Sequence, residues 1–176
     1  VSSDKVSILE IGFGTGLNCF ITYLESKKEI HYVGVEAYPV TSEEVHKMNF
    51  ISVLNAEKDS EVFNKIHNVS WDEKHQISDR FFLEKRKQFF EDIEDKDAFN
   101  LIYFDAFGAR VQPQLWTEEI FLKMYNALKE NGILVTYSAK GSVRRAMQAV
   151  GFKVERLPGP PGKREMLRAI KLSTQT

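Results

Sequence analysis

Short apolar runs alternate along the chain with longer amphipathic segments. Five runs have the length and the β-branched or aromatic content of strands: residues 6–11, 30–36, 80–84, 99–104 and 133–137. Four segments space their apolar residues three and four apart, as a helix does: residues 18–26, 41–54, 118–129 and 142–150. A short helix is predicted near residues 89–93, whereas residues 67–79 are less regular.

This alternation of strands and helices predicts an α/β fold with a mostly parallel, doubly wound sheet. Two further strands, at residues 152–157 and 166–172, are joined by a Pro/Gly loop without a helix, so they must run antiparallel. A chain of 176 residues is long enough for one sizeable core. We therefore expect a single domain over residues 1–176. Because the first strand begins five residues after Val1, a segment that precedes it is expected to be missing.

Charge is unevenly distributed, although its total is nearly balanced. The 24 Lys and Arg residues against 25 Asp and Glu residues leave a net charge of -1. From residue 139 onward, nine basic residues accompany two acidic ones. Such an excess at one end indicates an anionic ligand such as nucleic acid, and a solvated basic hairpin explains it equally well. The candidate phosphate contacts are Arg144, Arg145, Lys163 and Arg164.

Other features argue against several classes of protein. Cys19 is the single cysteine and lies in an apolar stretch, which favours a reducing compartment and a cytoplasmic location. We expect neither export nor membrane insertion, since no long apolar stretch and no leader pattern occurs. The four histidines show no ligand spacing with one another or with Cys19, so the sequence predicts no metal.

The first candidate site residues follow the first strand, because ligands of open α/β sheets bind outside the carboxyl ends of strands. The sequence EIGFGTG begins at Glu10 and contains Gly12, Gly14 and Gly16. Glycines let the backbone turn tightly and approach a ligand closely. Leu17 stands where the dinucleotide fingerprint requires glycine or alanine, so the spacing favours the related methyltransferase loop. A purely structural turn is the alternative.

Two acidic residues at later strand ends extend this pattern. Glu36 follows Gly12 by 24 residues and closes the second strand, where a carboxylate accepts hydrogen bonds from ribose hydroxyls. Both S-adenosylmethionine and NAD contain this ribose, and only the loop spacing favours the former. Glu84 ends the third predicted strand and is a candidate acceptor for an adenine amino group, with an exposed carboxylate as the alternative.

Asp105 follows the fourth strand, which neighbours the first strand in such folds. It should face the reactive part of a cofactor, where a carboxylate orients an amino nucleophile and stabilises its developing positive charge. A carboxylate is a much weaker base than an aliphatic amine, so we assign Asp105 chiefly to positioning. Capping of the following turn is the structural alternative.

Four segments in combination are more specific than any one motif: EIGFGTGLN at 10–18, YFDAFGARVQPQLWT at 103–117, GSVRRAMQAVG at 141–151 and PPGKREML at 160–167. Together they resemble the methyltransferase domain of the bacterial enzymes that make 5-methylaminomethyl-2-thiouridine in tRNA. The resemblance spans nearly the whole chain. It implies a Rossmann-like S-adenosylmethionine methyltransferase fold and methylation of the primary amine of 5-aminomethyl-2-thiouridine at the tRNA wobble position.

The resemblance also implies roles for individual residues. Glu10 and the three glycines of its loop fall in the cofactor motif, Glu36 matches the ribose acid and Asp105 the active-site aspartate. Phe107 lies in the substrate-side loop and is a candidate tRNA contact. The family usually has proline shortly after an Asp-Gly/Ala-Phe triplet, which is Asp105-Ala106-Phe107 here, whereas this chain reads GAR at 108–110, so a differently shaped loop is expected. No flavin-oxidase segment is present, which predicts a stand-alone methyltransferase or a fragment of one.

Two other functions remain open at this point. A small-amine methyltransferase or an aminopropyltransferase shares the fold, but a polyamine site should be ringed by acidic residues, and the C-terminal region here is basic. A catalytically silent module that binds adenosylmethionine or RNA is the second alternative. The presence of Asp105 argues against that module.

Overall fold

A computed structural model describes residues 4–108, 110–159, 161–162 and 164–173. The strands in these ranges are β1 (Lys5–Ile11), β2 (Glu29–Val35), β3 (Lys74–Ser78), β4 (Phe81–Arg86), β5 (Phe99–Phe104), β6 (Leu128–Thr136), β7 (Lys153–Pro158) and β8 (Glu165–Ile170). The α-helices are α1 (Leu17–Glu25), α2 (Ser42–His46), α3 (Phe50–Val53), α4 (Ser60–Asn68), α5 (Glu118–Ala127) and α6 (Gly141–Ala149).

All of these strands join one sheet in the order β3-β4-β2-β1-β5-β6-β8-β7. The pairs among β4, β2, β1, β5 and β6 are parallel, and β8 runs antiparallel to both β6 and β7. The mostly parallel α/β sheet with an antiparallel C-terminal strand is therefore confirmed. The edge strand β3 adds a third antiparallel pairing, with β4, that the sequence pattern did not predict.

Each face of the sheet carries its own apolar core, as alternating strand residues require. On one face, Leu9 and Ile11 of β1 belong to a core shared with Phe121 of α5 and Met147 of α6. On the other face, Val6 and Ile8 of β1 contribute to a core with residues of α1 and α4. The central strand β1 is thus buried from both sides, and its carboxyl end is held rigidly between its neighbours.

The structure differs from the predicted elements in three places. The single helix expected over residues 41–54 is divided into α2 and α3, and Asn49 between them is non-helical, as short polar side chains favour. Helix α4 lies in a region with no predicted element. The helix expected over residues 118–129 ends at Ala127, and the Asn131-Gly132 pair, a typical helix stop, lies inside β6, where Asn131 adopts a left-handed backbone conformation.

One edge of the sheet brings the candidate site residues together. Strands β2, β1, β5 and β6 all end there, since they are parallel. The antiparallel strand β8 begins at the same edge, where Leu167 pairs with Thr136 at the end of β6. The turn between β7 and β8 therefore also lies on this edge, which we call the carboxyl edge. Among the described residues, no helix is sufficiently long and apolar to cross a membrane.

Candidate active site

A cavity of about 570 Å³ opens at the carboxyl edge, over the ends of β2, β1 and β5. We call it the donor cavity. Its volume lies in the range of small-molecule sites. Four carboxylates line it: those of Glu10, Glu36 and Asp105 each come from the end of a different neighbouring strand, and that of Glu91 comes from the short turn at Phe90–Asp92. The aromatic side chains of Tyr38 and Phe89 also line it and are 75% and 51% exposed.

The glycine loop after β1 lies against the loop after β5. Gly12, Gly14 and Gly16 all have positive φ angles, of 86°, 50° and 71°. A Cβ atom on Gly12 would come within 2.8 Å of the carbonyl oxygen of Asp105, so this contact requires glycine. The Asp105 amide donates to the Ile11 carbonyl at 2.9 Å. The two loops are therefore fixed to each other by the backbone.

A second close approach involves Phe13 in the same loop. Its ring lies over Gly34 of β2, where a Cβ atom would overlap the ring. Phe13 is 4% exposed and packs edge-on against Trp71 at 6.1 Å between centroids. The ring of Phe13 thus anchors the glycine loop to β2 of the sheet.

Glu36 is fixed by two backbone amides. Its Oε2 atom accepts from the Gly14 amide at 3.1 Å, and its Oε1 atom accepts from the Tyr38 amide at 3.0 Å. Each carboxylate oxygen has a second acceptor position, so both oxygens remain able to accept from ligand hydroxyls. The side chain is thereby oriented by the same loop that lines the donor cavity.

Glu10 is linked to Asp105 through Asn18, a residue that sequence reasoning did not assign to the site. The Asn18 Nδ2 atom donates to Glu10 Oε1 at 2.9 Å and to Asp105 Oδ2 at 2.8 Å. Tyr32, from β2, donates to the other Glu10 oxygen at 2.7 Å. Asn18 lies on the first turn of α1, within the quoted motif, but its short side chain gave no signal of this bridge.

Burial controls the ionisation of this group. Glu10 is 1% exposed, and desolvation raises its pKa to about 8, although the hydrogen bonds from Tyr32 and Asn18 lower it. Glu10 therefore retains its proton at neutral pH in the protein without ligand.

The backbone after Asp105 is held by two aromatic side chains. Tyr137 donates its hydroxyl to the Ala106 carbonyl at 2.8 Å, and the Trp116 indole donates to the Phe107 carbonyl at 2.8 Å. Trp116 is buried, with its ring 5.0 Å from that of Phe104. Sequence reasoning used Trp116 only as part of a motif and did not assign Tyr137. Phe107 itself is 72% exposed and lines the donor cavity.

The expected position of Glu84 at a strand end is wrong. Strand β4 continues to Arg86, because it pairs in register with β2 as far as Val35. Glu84 accepts from the Arg86 Nε atom at 2.7 Å, and Arg86 also pairs with Asp95 at 2.8 Å. Glu84 is not among the residues that line the donor cavity. It forms part of an ion-pair network beside β4 instead of an adenine contact.

The basic residues divide into two groups. Lys153, Arg156, Arg168 and Lys171 lie in or directly after β7 and β8 and pair with carboxylates. Cations near the carboxyl edge are different: among the described residues, no carboxylate lies within ion-pair distance of Lys140, Arg144, Arg145 or Arg164. Lys163 lies outside the described residues. No group of three His, Cys, Asp or Glu side chains within the described ranges is arranged to hold a metal ion.

The doubly wound sheet and its strand order place the chain in the structural class of the S-adenosylmethionine-dependent methyltransferases. Residues 56–172 match a family model described as S-adenosyl-L-methionine-dependent methyltransferase. This match covers more than half of the chain, and the chain therefore belongs to that family. S-adenosylmethionine is its cofactor, as the resemblance in the sequence implied.

Curated relatives indicate which members of the family the chain resembles. The tRNA 5-methylaminomethyl-2-thiouridine biosynthesis bifunctional protein MnmC of Hydrogenovibrio crunogenus is 29% identical over 93% of this chain, and that of Marinomonas sp. is 30% identical over 90%. The chain spans only 26% and 25% of these two proteins. The family resemblance that the sequence motifs indicated is confirmed.

Solved structures support the fold. The crystal structure of MnmC2 from Aquifex aeolicus has a TM-score of 0.65 at 22% identity, covering 95% of this chain and 53% of that chain. Spermidine synthase from Thermotoga maritima has a TM-score of 0.59 at 17% identity, covering 94% of this chain and 54% of that chain. At these identities both structures establish the shared fold alone.

The residues of the donor cavity fit S-adenosylmethionine chemically. Glu36 presents acceptors to ribose hydroxyls, and the glycine loop lines the cavity without side chains at Gly12 and Gly14. The ligand carries positive charge on its sulfonium and ammonium groups, which the acidic lining of the cavity complements. The exposed rings of Tyr38 and Phe89, 6.2 Å apart, offer apolar surface for its adenine.

Proposed function

We propose that this chain methylates the primary amine of 5-aminomethyl-2-thiouridine at the wobble position of tRNA, with S-adenosylmethionine as methyl donor. The observation that carries the proposal is the position of Asp105. Its carboxylate is exposed on the wall of the donor cavity and is anchored by Asn18. It lies on the edge of the sheet that also holds the basic residues without carboxylate partners. The names of the curated relatives support the choice of nucleoside.

On the donor side, the chain's contribution is to bind and orient. Glu36 would hold the ribose, and the backbone of the glycine loop would lie along the amino-acid part of the cofactor. Asp105 would place negative charge near its cationic groups, and Glu10 would lie beside it as a polar neighbour linked through Asn18. When bound, S-adenosylmethionine supplies an electrophilic methyl group on a positively charged sulfur.

On the acceptor side, Asp105 would orient the amine. The neutral amine nitrogen bonds to the methyl carbon while the carbon–sulfur bond breaks and its electron pair remains on sulfur. The nitrogen becomes positively charged and then releases one proton to water. A carboxylate beside the nitrogen stabilises this developing charge and holds the lone pair in line with the breaking bond. Asp105 therefore acts by position and charge.

The distribution of cations supports an RNA substrate. Helix α6 begins at the carboxyl edge and carries Arg144 and Arg145, and Arg164 lies in the turn between β7 and β8 at the same edge. The Nε atom of Arg144 is buried and has no hydrogen-bond partner among the described residues. Guanidinium groups at this edge would contact phosphates on either side of the target nucleotide.

Mass spectrometry of nucleosides tests the proposal directly. The substrate is tRNA that carries 5-aminomethyl-2-thiouridine, incubated with the protein and S-adenosylmethionine. We expect the mass of one added methyl group on that nucleoside alone. A gain on a polyamine or another small amine, with none on the tRNA, would contradict the proposal.

Salt dependence of tRNA binding provides a second test. Binding should weaken steeply as salt is added, and Arg145→Ala or Arg164→Ala should each reduce the slope of log K against log salt by roughly one. Lys27→Ala is the matched control, because Lys27 is exposed in the loop before β2, at the opposite edge of the sheet. A flat salt response would exclude this phosphate interface.

A further inference from the structure

A second cavity lies beside the donor cavity and shares part of its wall. It has a volume of about 420 Å³ and is lined by Asp105, Ala106, Phe107, Gly108 and Tyr137. The first three of these residues also line the donor cavity. The short segment from Asp105 to Phe107 is therefore a partition between the two spaces. We call the second space the acceptor cavity.

From this arrangement we infer that the acceptor cavity binds the target pyrimidine base, stacked on the ring of Phe107. The inference rests on the proposed function and adds the site that selects its substrate. The amine must approach the methyl carbon from the side opposite to sulfur, so donor and acceptor must enter from different sides of one wall. An aminomethyl arm is short, and Asp105 stands in the partition where this arm would cross.

The exposure of Phe107 supports a stacking role. A phenylalanine ring that is 72% exposed buries little apolar surface and contributes little to the fold. Its backbone is nonetheless fixed, because Trp116 holds its carbonyl and Tyr137 holds that of Ala106. A rigidly presented, solvent-exposed aromatic ring is the form of platform on which proteins stack unpaired bases.

The charge of the acceptor cavity favours a base over a polyamine. Asp105 is the single carboxylate in its described lining, which suits a ligand with one amine. Exposed cations flank the aromatic pair in the sequence: Arg110 follows Phe107 by three residues, and Lys140 follows Tyr137 by three. Such surroundings suit a nucleotide, which has one aromatic ring and adjoining phosphates, and would repel a ligand with several ammonium groups.

The test compares Phe107→Leu with Phe107→Trp in methylation of an anticodon stem-loop RNA that contains 5-aminomethyl-2-thiouridine. Leucine keeps an apolar side chain but removes the aromatic face, and tryptophan retains that face. We expect Phe107→Leu to lower kcat/KM by about 10- to 100-fold, and Phe107→Trp to remain within a few-fold of wild type. Val111→Ala is the matched control, since Val111 is also 72% exposed in this loop but lines neither cavity.

Circular dichroism of the 2-thiouridine chromophore provides a readout that does not depend on catalysis. Its long-wavelength band should change when the RNA binds wild-type protein, and Phe107→Leu should abolish the change while the Tm of the protein stays the same. Equal behaviour of Phe107→Leu and Val111→Ala in both assays would overturn the inference.

The two proposals fail in distinguishable ways. If the wild type binds the RNA with the dichroism change but adds no methyl group, the proposed function fails and the stacking site remains. If the wild type methylates the RNA and Phe107→Leu does so equally well, the stacking site fails and the proposed function remains. If the RNA does not bind, both are excluded.

Discussion

The donor side and the acceptor side of the site are built differently. On the donor side, Glu10 is buried between Asn18 and Tyr32, and both oxygens of Glu36 accept from backbone amides. On the acceptor side, the backbone is held equally firmly, but the side chains of Asp105 and Phe107 extend into solvent. The donor side is thus complete without its ligand. We expect the acceptor side to gain its remaining contacts from a large substrate.

Substitution of Asp105 should give the largest effect and separate the two sides. Asp105→Asn retains the shape but removes the charge that stabilises the nitrogen, so we expect kcat to fall by about 100- to 1,000-fold. The Kd for S-adenosylmethionine, measured by calorimetry, should change only a few-fold. Asp79→Asn, exposed in the turn between β3 and β4, is the control and should leave both quantities unchanged.

Glu36→Gln provides the opposite case. It should raise the cofactor Kd by roughly tenfold while kcat at saturating cofactor stays close to wild type, because the ribose is remote from the reacting atoms. If Asp105→Asn retained full activity, the mechanism proposed for the acceptor side would be wrong, whatever Glu36→Gln showed.

Asn18 connects the two sides, so its removal should affect both. Asn18→Ala takes away hydrogen bonds to Glu10 and Asp105, and we expect kcat/KM to fall by about tenfold. Asn18→Asp should be worse than Asn18→Ala above neutral pH, since it places a third carboxylate between two others. Steady-state rates across a pH series measure this difference. Asn64→Ala, exposed on α4, serves as the control. Identical pH profiles for the two Asn18 variants would contradict the bridge.

The smallest expected effect is on the pH dependence of the free energy of unfolding. Glu10 has a pKa of about 8 in the folded protein and an ordinary value of 4.5 when unfolded. Between these values the folded state binds the extra proton, so its stability falls as pH rises, by up to about 1.4 kcal/mol per pH unit. Burial lowers the pKa of His67 to about 4, which acts in the opposite direction below pH 6.5. In the window from pH 6.5 to 8 the titration of Glu10 is therefore expected to give the largest part of the slope.

Urea unfolding at several pH values within that window measures the slope. Glu10→Gln should flatten it, because glutamine keeps the shape without the titration. A slope that persists unchanged in Glu10→Gln would show that another group controls the stability. Burial lowers the pKa of Lys85 to about 8, so this group begins to act in the opposite direction in the upper part of the window, and the comparison with Glu10→Gln separates the two contributions.

Residues at strand ends were predictable from sequence because each has a local signature. Gly12 and Glu36 mark consecutive strand ends, and Asp105 directly ends an apolar run, so the sheet topology alone brings them to one edge. Asn18 was not predictable, since its role depends on two carboxylates that are 8 residues before it and 87 residues after it. Tyr137 likewise acts through a backbone carbonyl 31 residues away.

The end of β4 was predicted wrongly for a physical reason. The strand predicted over residues 80–84 ends at Glu84, but β4 continues through Lys85 to Arg86. Lys85 is only 1% exposed, and its ammonium group donates to the His67 carbonyl at 2.8 Å and lies 5.0 Å from the centre of the Trp71 ring. Such compensation for a buried charge comes from tertiary contacts, which a local pattern does not contain.

The ring of Phe13 over Gly34 ties together two positions that are distant in the sequence. Any side chain on residue 34 would require the ring of residue 13 to leave, and the glycine loop would then lose its anchor on the sheet. During divergence of the family, these two positions are expected to change together or not at all. Such covariation would show that the packing beneath the donor cavity is constrained in every member of the family, whichever substrate that member accepts.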